Sequence, residues 1–348
     1  MNSIEYVGLT ELKTGGLGFD YRLHSASPTP LLRISRLSEL TGCEILAKAE
    51  FLNPSGSVKY RTALGIVEDA EEKGLLHRGD TIVEGSAGNT GIGLTVVANA
   101  KGYRTVIVIC DTESPEKIQR LRALGAEVIT VREQPHDHPE NFNRIAQRLA
   151  QQNGWFWSNQ FDNVANRLAH YRATGPEIWE QTEGKVTGFV SVVGTGGTLA
   201  GTGTFLKEQN PEIIIACADP HGAAMWSWFA RGKTETSEGD SIAEGIGQTR
   251  VTRNLAGVVA DRAYRIDDQT ALTLVRHLLR EEGLCVGLSS GINLAGAVQL
   301  ALEGGPGQVI STILCDSGQN YQSRLFNDAW LAEHLLNPNL PIESVLDA

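Results

Sequence analysis

The chain has 348 residues, of which 41% are hydrophobic, and this length is sufficient for two lobes with well-buried cores. Its formal net charge of −11 argues against DNA, RNA or an anionic membrane as a partner, but not against a pocket for one small anion. The five cysteines are far apart and form no CxxC pair, which favours buried free thiols in a reducing compartment and predicts no metal site.

The N-terminal stretch from Met1 to Lys13 mixes acidic, basic and polar residues. It has neither the basic start nor the apolar segment of a secretion signal. Elsewhere in the chain, no run approaches the roughly 18 apolar residues that a membrane span needs. We therefore expect a soluble, cytoplasmic protein that has no membrane partner.

Lys59 is the first candidate functional residue, and it lies in the sequence NPSGSVKYR at 53–61. This turn-rich stretch predicts a loop that leads into a helix, with Ser57 as the N-cap and Gly74 at the end. The first turn of a helix favours acidic residues over lysine, and burial there would lower the pKa of the amine. An amine that loses its proton readily suits imine chemistry, although a lone lysine is more often a solvated surface residue.

The chain then alternates short strands and helices. Strands are predicted at 81–84, 105–110, 127–131, 188–193, 213–218, 284–287 and 309–315. Helices are predicted at about 91–100, from Ser114 to Gly125, and at 198–209, 268–282, 292–302 and 321–334, with an exposed loop at 231–240. This order predicts two α/β lobes with mainly parallel sheets and a cleft between them, in which ligands bind at the carboxyl ends of strands.

A second motif, EGSAGNTG at 84–91, connects a predicted strand to a predicted helix. Backbone N–H groups and small hydroxyls at a helix N-terminus form an anion site, and a substrate carboxylate would suit it. Taken alone, the motif is equally typical of an ordinary strand-to-helix turn.

A third motif, GTGGT at 194–198, also follows an apolar strand and opens a helix. Its glycines allow the backbone to approach a phosphate, and its threonines add hydroxyl donors. The alternative is a dinucleotide site, because Asp219 ends the next strand. The run GTGGTLAG has one residue too many for the GxGxxG fingerprint, however, which weakens that alternative.

A fourth motif, LCDSGQNY at 314–321, follows the last predicted strand. We expect the hydroxyl of Ser317 to project into the cleft, although a serine and a glycine at this point are also typical of a simple turn.

Together, these four motifs resemble in order and spacing the fold-type II pyridoxal-phosphate enzymes of the cysteine synthase and cystathionine β-synthase family. The resemblance runs from about Thr29 to Phe326. It implies a tryptophan synthase β-like fold of two doubly wound lobes with mainly parallel sheets. A large cofactor-binding domain would comprise 1–52 and 164–348, a small mobile domain would comprise 53–163, and the protein would be a homodimer.

The resemblance also implies a role for individual residues. Lys59 would form the Schiff base with pyridoxal 5′-phosphate and later act as acid and base at the substrate Cα. Asn89 would lie beside the 3′-oxygen of the cofactor, and Ser317 would be the hydroxyl partner of its pyridine nitrogen. The cofactor phosphate would be held by Gly194, Thr195, Gly196, Gly197 and Thr198. Contacts with an amino-acid substrate are implied for Ser86, Ala87, Gly88, Asn89, Thr90, Gln160 and Gly245.

A serine partner leaves the pyridine nitrogen unprotonated and the ring a weaker electron sink. The implied chemistry is therefore loss of a Cβ leaving group through an aminoacrylate intermediate. Our first expectation is a cysteine synthase that acts on O-acetylserine and sulfide. Cysteine desulfhydration, which gives pyruvate, ammonia and hydrogen sulfide, and an amine-using 2,3-diaminopropionate-type synthesis pass through the same intermediate and stay open.

Some residues depart from the family pattern and bear on the choice of substrate and second nucleophile. Tyr60 stands where relatives have aspartate, and Ala87 stands where many have a hydroxyl residue. Two interpretations of other classes are less favoured. One is an NAD-dependent dehydrogenase that uses the 194–201 stretch and Asp219. The other is a non-catalytic relative, which retention of Lys59, Asn89 and Ser317 argues against.

Overall fold

Two mainly parallel sheets form the framework of the protein. The computed structural model describes residues 28–346, and within them the strand orders are β1-β2-β10-β7-β8-β9 and β5-β4-β3-β6. The strands are β1 (Leu31–Arg33), β2 (Glu44–Ala49), β3 (Thr81–Gly85), β4 (Arg104–Cys110), β5 (Glu127–Val131), β6 (Phe156–Trp157), β7 (Gly188–Val192), β8 (Ile214–Pro220), β9 (Arg262–Ile266) and β10 (Val309–Leu314). All neighbouring strands are parallel except β1 and β2.

Helices connect these strands, as parallel pairing requires. They are α1 (Ser35–Thr41), α2 (Lys59–Glu72), α3 (Asn89–Lys101), α4 (Pro115–Ala123), α5 (Phe142–Asn153), α6 (Ala165–Arg172), α7 (Thr174–Gln181), α8 (Gly197–Gln209), α9 (Met225–Arg231), α10 (Asp268–Glu281), α11 (Leu288–Gly304) and α12 (Asp328–Glu333). The alternation of strands and helices confirms the predicted α/β class.

Helices cover both faces of the larger sheet. Alternate residues of a strand point to opposite faces, and in β7 Val190 joins the core beneath α11 while Phe189 joins the core beneath α8. Both side chains are fully buried. The continuous apolar run of β4 is explained in the same way, because Val108 and Ile107 pack into separate cores on the two faces of the smaller sheet.

Three predicted elements differ in the structure. The 284–287 stretch is not a strand but a direct passage between α10 and α11, in which only Val286 makes an isolated bridge, to Ser317. The stretch predicted as one helix at 321–334 contains only the shorter helix α12, which begins at Asp328 and is capped by the side chain of Asn327. Ser114 occupies the N-cap of α4, as predicted, but its side chain makes no capping bond, and its N–H donates to Glu244 instead.

The predicted domain division stays a prediction. The smaller sheet uses strands within 81–157, whereas the larger sheet uses strands within 31–49 and 188–314. Part of the predicted large domain, residues 1–27, lies outside the described residues. In the part of the chain from 28 to 346, no helix is long and apolar enough to cross a membrane.

Candidate active site

A cavity of about 520 Å³ lies between the two sheets, at the carboxyl ends of their strands. Its wall includes Ser86 after β3, Thr112 after β4, Gly194 after β7 and Cys315 after β10. This is the place where open α/β sheets bind ligands. Most of the residues that the sequence singled out line this cavity: Lys59, Ser86, Ala87, Asn89, Thr90, Gln160, Gly194, Thr195, Gly196, Thr198 and Gly245. Gly88 and Gly197 belong to the same loops, but they are not among the lining residues.

Lys59 is the first residue of α2, and its side chain lines the cavity. Ser57 does not occupy the formal N-cap, which is Val58, yet its hydroxyl accepts a hydrogen bond from the Lys59 N–H at 3.3 Å. Burial lowers the pKa of the Lys59 amine, and nearby Cys315 and Asp316 oppose this effect only in part. A lowered pKa makes the neutral, nucleophilic form of this amine easier to reach.

Tyr60 points away from the cavity. Its side chain is fully buried in the core of the smaller sheet, where it packs with residues of α2 and α3. Its hydroxyl has no hydrogen-bond partner among the residues that the structure describes. The departure from the family pattern at this position therefore alters packing behind α2 and not the lining of the cavity.

A buried group of charges holds the start of α2. The guanidinium of Arg61 lies 2.8 Å from Glu50 and 2.6 Å from Glu177, and Glu177 also pairs with Lys48 at 2.6 Å. Arg61 and Glu50 are buried, so these charge-assisted bonds are shielded from solvent. Arg61 thereby fixes the helix turn that carries Lys59, a contribution that the sequence pattern did not reveal.

The loop before α3 is closed by its own side chains. The Ser86 hydroxyl accepts from the N–H groups of Gly88 at 3.0 Å and Gly91 at 3.1 Å. Gln160 has no free amide hydrogen for a substrate, because its Nε2 donates to Glu84 at 3.2 Å and to the Gly85 carbonyl at 2.9 Å. Gln160 accepts in turn from the hydroxyl of Thr90. In this arrangement Gln160 positions Thr90, which leaves the loop itself as the direct anion site.

The glycine-rich loop after β7 has the geometry of a second candidate anion site, at the start of α8. Gly196 has a φ of +83°, a left-handed conformation that favours glycine. The loop is tied on both sides: Asn166 donates to the Thr195 hydroxyl at 2.8 Å, and Thr252 donates to the Thr195 carbonyl at 2.8 Å. A rigid glycine loop at the N-terminus of a helix of 13 residues is suited to a phosphate.

Ser317 does not project into the cavity, and this expectation was wrong. Its hydroxyl accepts from the Gln319 N–H at 3.3 Å and caps the short 3-10 helix at 318–321. The serine that lines the cavity is Ser289, in the first turn of α11, and Cys315 lines the same cavity. The sequence GLSSG at 287–291 was the available signal, since it places small hydroxyl residues at a helix start as in the other motifs.

Asp219 also lies outside the cavity wall. It is fully buried, and its Oδ2 accepts from the N–H of Trp226 at 2.8 Å at the start of α9. A carboxylate that is fully buried outside the cavity wall is not available to a ribose hydroxyl, so the dinucleotide interpretation of the glycine-rich loop is wrong. Within residues 28–346, no group of three or more His, Cys, Asp or Glu residues is placed to hold a metal ion, and all five cysteines are free.

A lysine that opens a helix, an anion loop beside it and a phosphate-type glycine loop across one cavity define the class of fold-type II pyridoxal-phosphate enzymes. The family described as "Pyridoxal-phosphate dependent enzyme" matches residues 23–316, and the chain belongs to this family. Its cofactor is pyridoxal phosphate.

Named relatives narrow the class to enzymes of cysteine metabolism. The chain is 47% identical to "Cysteine synthase 1" of Neurospora crassa over 98% of this chain and 90% of that protein. It is 48% identical to "Cysteine synthase 1" of Emericella nidulans over 90% of this chain and 86% of that one. Among solved structures, an O-ureido-L-serine synthase is similar with a TM-score of 0.80 and 38% identity, covering 91% of this chain and 100% of the other.

Proposed function

We propose that this protein is a cysteine synthase, which replaces the Cβ substituent of O-acetylserine with sulfide. The observation that carries the proposal is Lys59, whose pKa is lowered by burial and which lines one cavity together with the 86–90 loop and the glycine-rich 194–198 loop. Similarity to cysteine synthases over nearly the whole chain supports the choice of reaction.

The residues of the cavity fit the cofactor. The loop from Gly194 to Thr198 would hold the phosphate through backbone N–H groups and hydroxyls, because it opens α8. Lys59 would bind the aldehyde. Ser289, which replaces Ser317 in this role, would offer a neutral hydroxyl to the ring nitrogen. When bound, pyridoxal phosphate supplies an aldehyde and an electron-withdrawing ring that stabilises negative charge at the substrate Cα.

The chain's own side chains would bind the substrate and move its proton. The backbone N–H groups of the 86–90 loop that make no bond to Ser86 would bind the substrate carboxylate, and Gln160 would keep Thr90 in place by accepting its hydroxyl hydrogen. The amine of Lys59, made less basic by burial, would take the proton from Cα. Gly245, which lines the cavity close to Ala87, would face the substrate amine.

A comparison of two reactions tests the function. The purified holoenzyme is incubated with O-acetylserine plus sulfide and, separately, with cysteine alone. We expect cysteine to form much faster in the first reaction than pyruvate and hydrogen sulfide form in the second. The reverse ratio would identify a cysteine desulfhydrase, an amine as the preferred nucleophile would identify a 2,3-diaminopropionate-type synthase, and no turnover of any of these would remove the proposal.

We further propose a homodimer located in the cytoplasm, with residues 53–163 acting as a small mobile domain. The family resemblance supports the dimer, and the five free cysteines are consistent with a reducing compartment. Light scattering on the purified holoenzyme gives the mass directly, and a mass near 37.6 kDa, that of one chain, would contradict the dimer.

A further inference from the structure

Asp316 lies where three segments of the cavity wall meet. On each side of it the backbone pairs with the loop before Lys59: the Val58 N–H donates to the Cys315 carbonyl at 2.8 Å, and the Ser317 N–H donates to Gly56 at 3.1 Å. The carbonyl of Asp316 accepts from the Gly287 N–H at 3.1 Å, just before α11 begins. The backbone of Asp316 therefore joins the lysine loop to the turn that carries Ser289.

The side chain of Asp316 reaches a third segment. Its Oδ2 accepts from the amide Nδ2 of Asn89 at 2.7 Å and from the hydroxyl of Tyr321 at 2.6 Å. Asp316 is 1% exposed, and its Oδ1 has no partner among the described residues. No cation within residues 28–346 forms an ion pair with it. Burial of a carboxylate without a paired cation lowers the stability of the fold. The presence of such a group therefore needs an explanation, and a functional role would provide one.

Local packing leaves room for this carboxylate. A Cβ at position 287 would overlap Asp316 Oδ1 and would lie 2.7 Å from Cε2 of Tyr321. Gly287 is therefore the residue that allows both side chains to occupy their positions. The space left by Gly287 and the hydrogen bonds to Oδ2 are therefore two independent observations about the same carboxylate.

The bond to Asn89 determines which way the amide faces. A carboxylate attracts the NH₂ group of an asparagine and repels its carbonyl oxygen, so Asn89 Nδ2 is held toward Asp316. Asn320 reinforces this orientation, because its Nδ2 donates to Asn89 Oδ1 at 3.3 Å. Asn89 lines the cavity, and its Nδ2 carries a second hydrogen that the bond to Asp316 does not use.

We infer that Asp316 is a positioning residue that holds the Asn89 amide so that its second N–H faces an anionic oxygen of the cofactor. The inference rests on the proposed function through the role of Asn89, but it concerns how this chain prepares Asn89 before the cofactor binds. The fourth sequence motif, at 314–321, thereby contributes to the cofactor site through Asp316 and not through Ser317.

The test uses Asp316→Asn, with Asp219→Asn as a matched control. Asp219 is also fully buried, accepts one backbone hydrogen bond and has an unpartnered Oδ1, but it does not contact Asn89. Apoproteins are titrated with pyridoxal phosphate, and the dissociation constant and visible absorption maximum are measured. We expect Asp316→Asn to weaken binding by about tenfold and to shift the maximum, because one charge-assisted hydrogen bond loses its orientation. Asp219→Asn should change neither quantity.

A double-mutant cycle with Asn89→Ala decides whether Asp316 acts through Asn89. If it does, Asp316→Asn adds little to the loss already caused by Asn89→Ala, whereas independent effects would add. Additive losses, or equal losses in Asp316→Asn and Asp219→Asn, overturn the inference. If Asp316→Asn does not fold, Gly287→Ala displaces the carboxylate without removing it and should weaken binding in the same direction; unchanged binding in that variant would also overturn it.

The wild-type protein separates this inference from the proposed function. If wild-type protein binds pyridoxal phosphate but makes no cysteine, the proposed reaction fails and the role of Asp316 still stands. If wild-type protein makes cysteine and the variants bind the cofactor as wild type does, only the positioning role fails.

Discussion

The Nζ atom of Lys117 lies 2.6 Å from Oε2 of Glu244, and both residues line the cavity. Lys117 belongs to α4, beside the smaller sheet, whereas Glu244 belongs to the 241–250 loop that follows α9. The other carboxylate oxygen of Glu244 lies 2.6 Å from Arg324. Burial acts to raise the pKa of Glu244, but these two cations outweigh it and lower the pKa overall. One carboxylate therefore joins both sides of the cavity.

Replacing Glu244 with glutamine should destabilise the protein. Lys117 is 1% exposed, and without Glu244 its ammonium is left with the longer contact to Glu113, at 3.7 Å, so its burial is poorly compensated. Removing one partner of a buried pair costs about 3 kcal/mol or more, so the midpoint of denaturant unfolding should fall clearly. Glu343→Gln is the control, because Glu343 pairs with Arg36 at the same 2.6 Å but at an exposed position. Equal midpoints in the two variants would show that the buried pair of Lys117 and Glu244 contributes no more to stability than an exposed ion pair does.

Replacing Lys59 with alanine should remove the covalent site for the cofactor. The holoenzyme is reduced with borohydride, digested and examined by mass spectrometry. We expect a pyridoxyl adduct on Lys59 in the wild type, and neither an adduct nor the yellow colour in Lys59→Ala. Lys73→Ala is the control, because Lys73 follows the same helix but is exposed and pairs with Asp69 at 2.7 Å. An adduct at any other lysine of the wild type would overturn the assignment.

Ser289 and Ser317 provide a matched pair of hydroxyl deletions. Ser289→Ala removes a hydroxyl from the cavity wall and should weaken cofactor binding and alter the absorption spectrum, since the ring nitrogen loses its partner. Ser317→Ala removes only the 3.3 Å capping bond to Gln319 and should leave the spectrum unchanged. Spectra of both holoenzymes over a titration with pyridoxal phosphate measure the difference. A spectral change in Ser317→Ala alone would restore the role first predicted for that residue.

The residues predicted correctly to line the cavity share a local origin. Lys59 and the 194–198 loop each lie in a turn that leads directly into a helix, and the conformation of a turn depends on residues that are adjacent in sequence. The strands predicted at 81–84, 105–110, 188–193, 213–218 and 309–315 are close to the observed bounds, because runs buried on both faces of a parallel sheet are continuously apolar. The strands β1, β2, β6 and β9 were not predicted. The α/β class followed from the same alternation.

The errors arose where long-range packing decides the outcome. The 284–287 stretch is short and apolar like a strand, but no neighbouring strand pairs with it in the described residues beyond the bridge at Val286. Whether Ser289 or Ser317 faces the cavity depends on how α11 meets β10, which no local pattern encodes. The contact between Asn89 and Asp316, 227 residues apart in sequence, is of the same kind.

Glu84 should give the protein a dependence of stability on pH. Burial raises the pKa of its carboxyl to about 7, and hydrogen bonds from Ser158 and Gln160 oppose this only in part. Between its ordinary pKa of 4.5 and about 7, the folded state therefore binds a proton that the unfolded state does not. This stabilisation is complete below pH 4.5 and is lost as pH rises through about 7. The difference between the two pKa values corresponds to about 3 kcal/mol.

The variant Glu84→Gln isolates this effect, because glutamine does not titrate. Denaturation midpoints of the wild type and the variant are compared at intervals from about pH 5 to about pH 8. The other titrating groups, including Asp219, whose pKa burial also raises to about 7, are common to both proteins and cancel in the difference. The wild type should lose stability relative to Glu84→Gln as pH rises between 4.5 and about 7, where the folded state holds a proton that the unfolded state has lost, and the loss should level off above about 7. A difference that stays constant over the whole range would mean that Glu84 is already ionised in the folded protein at low pH.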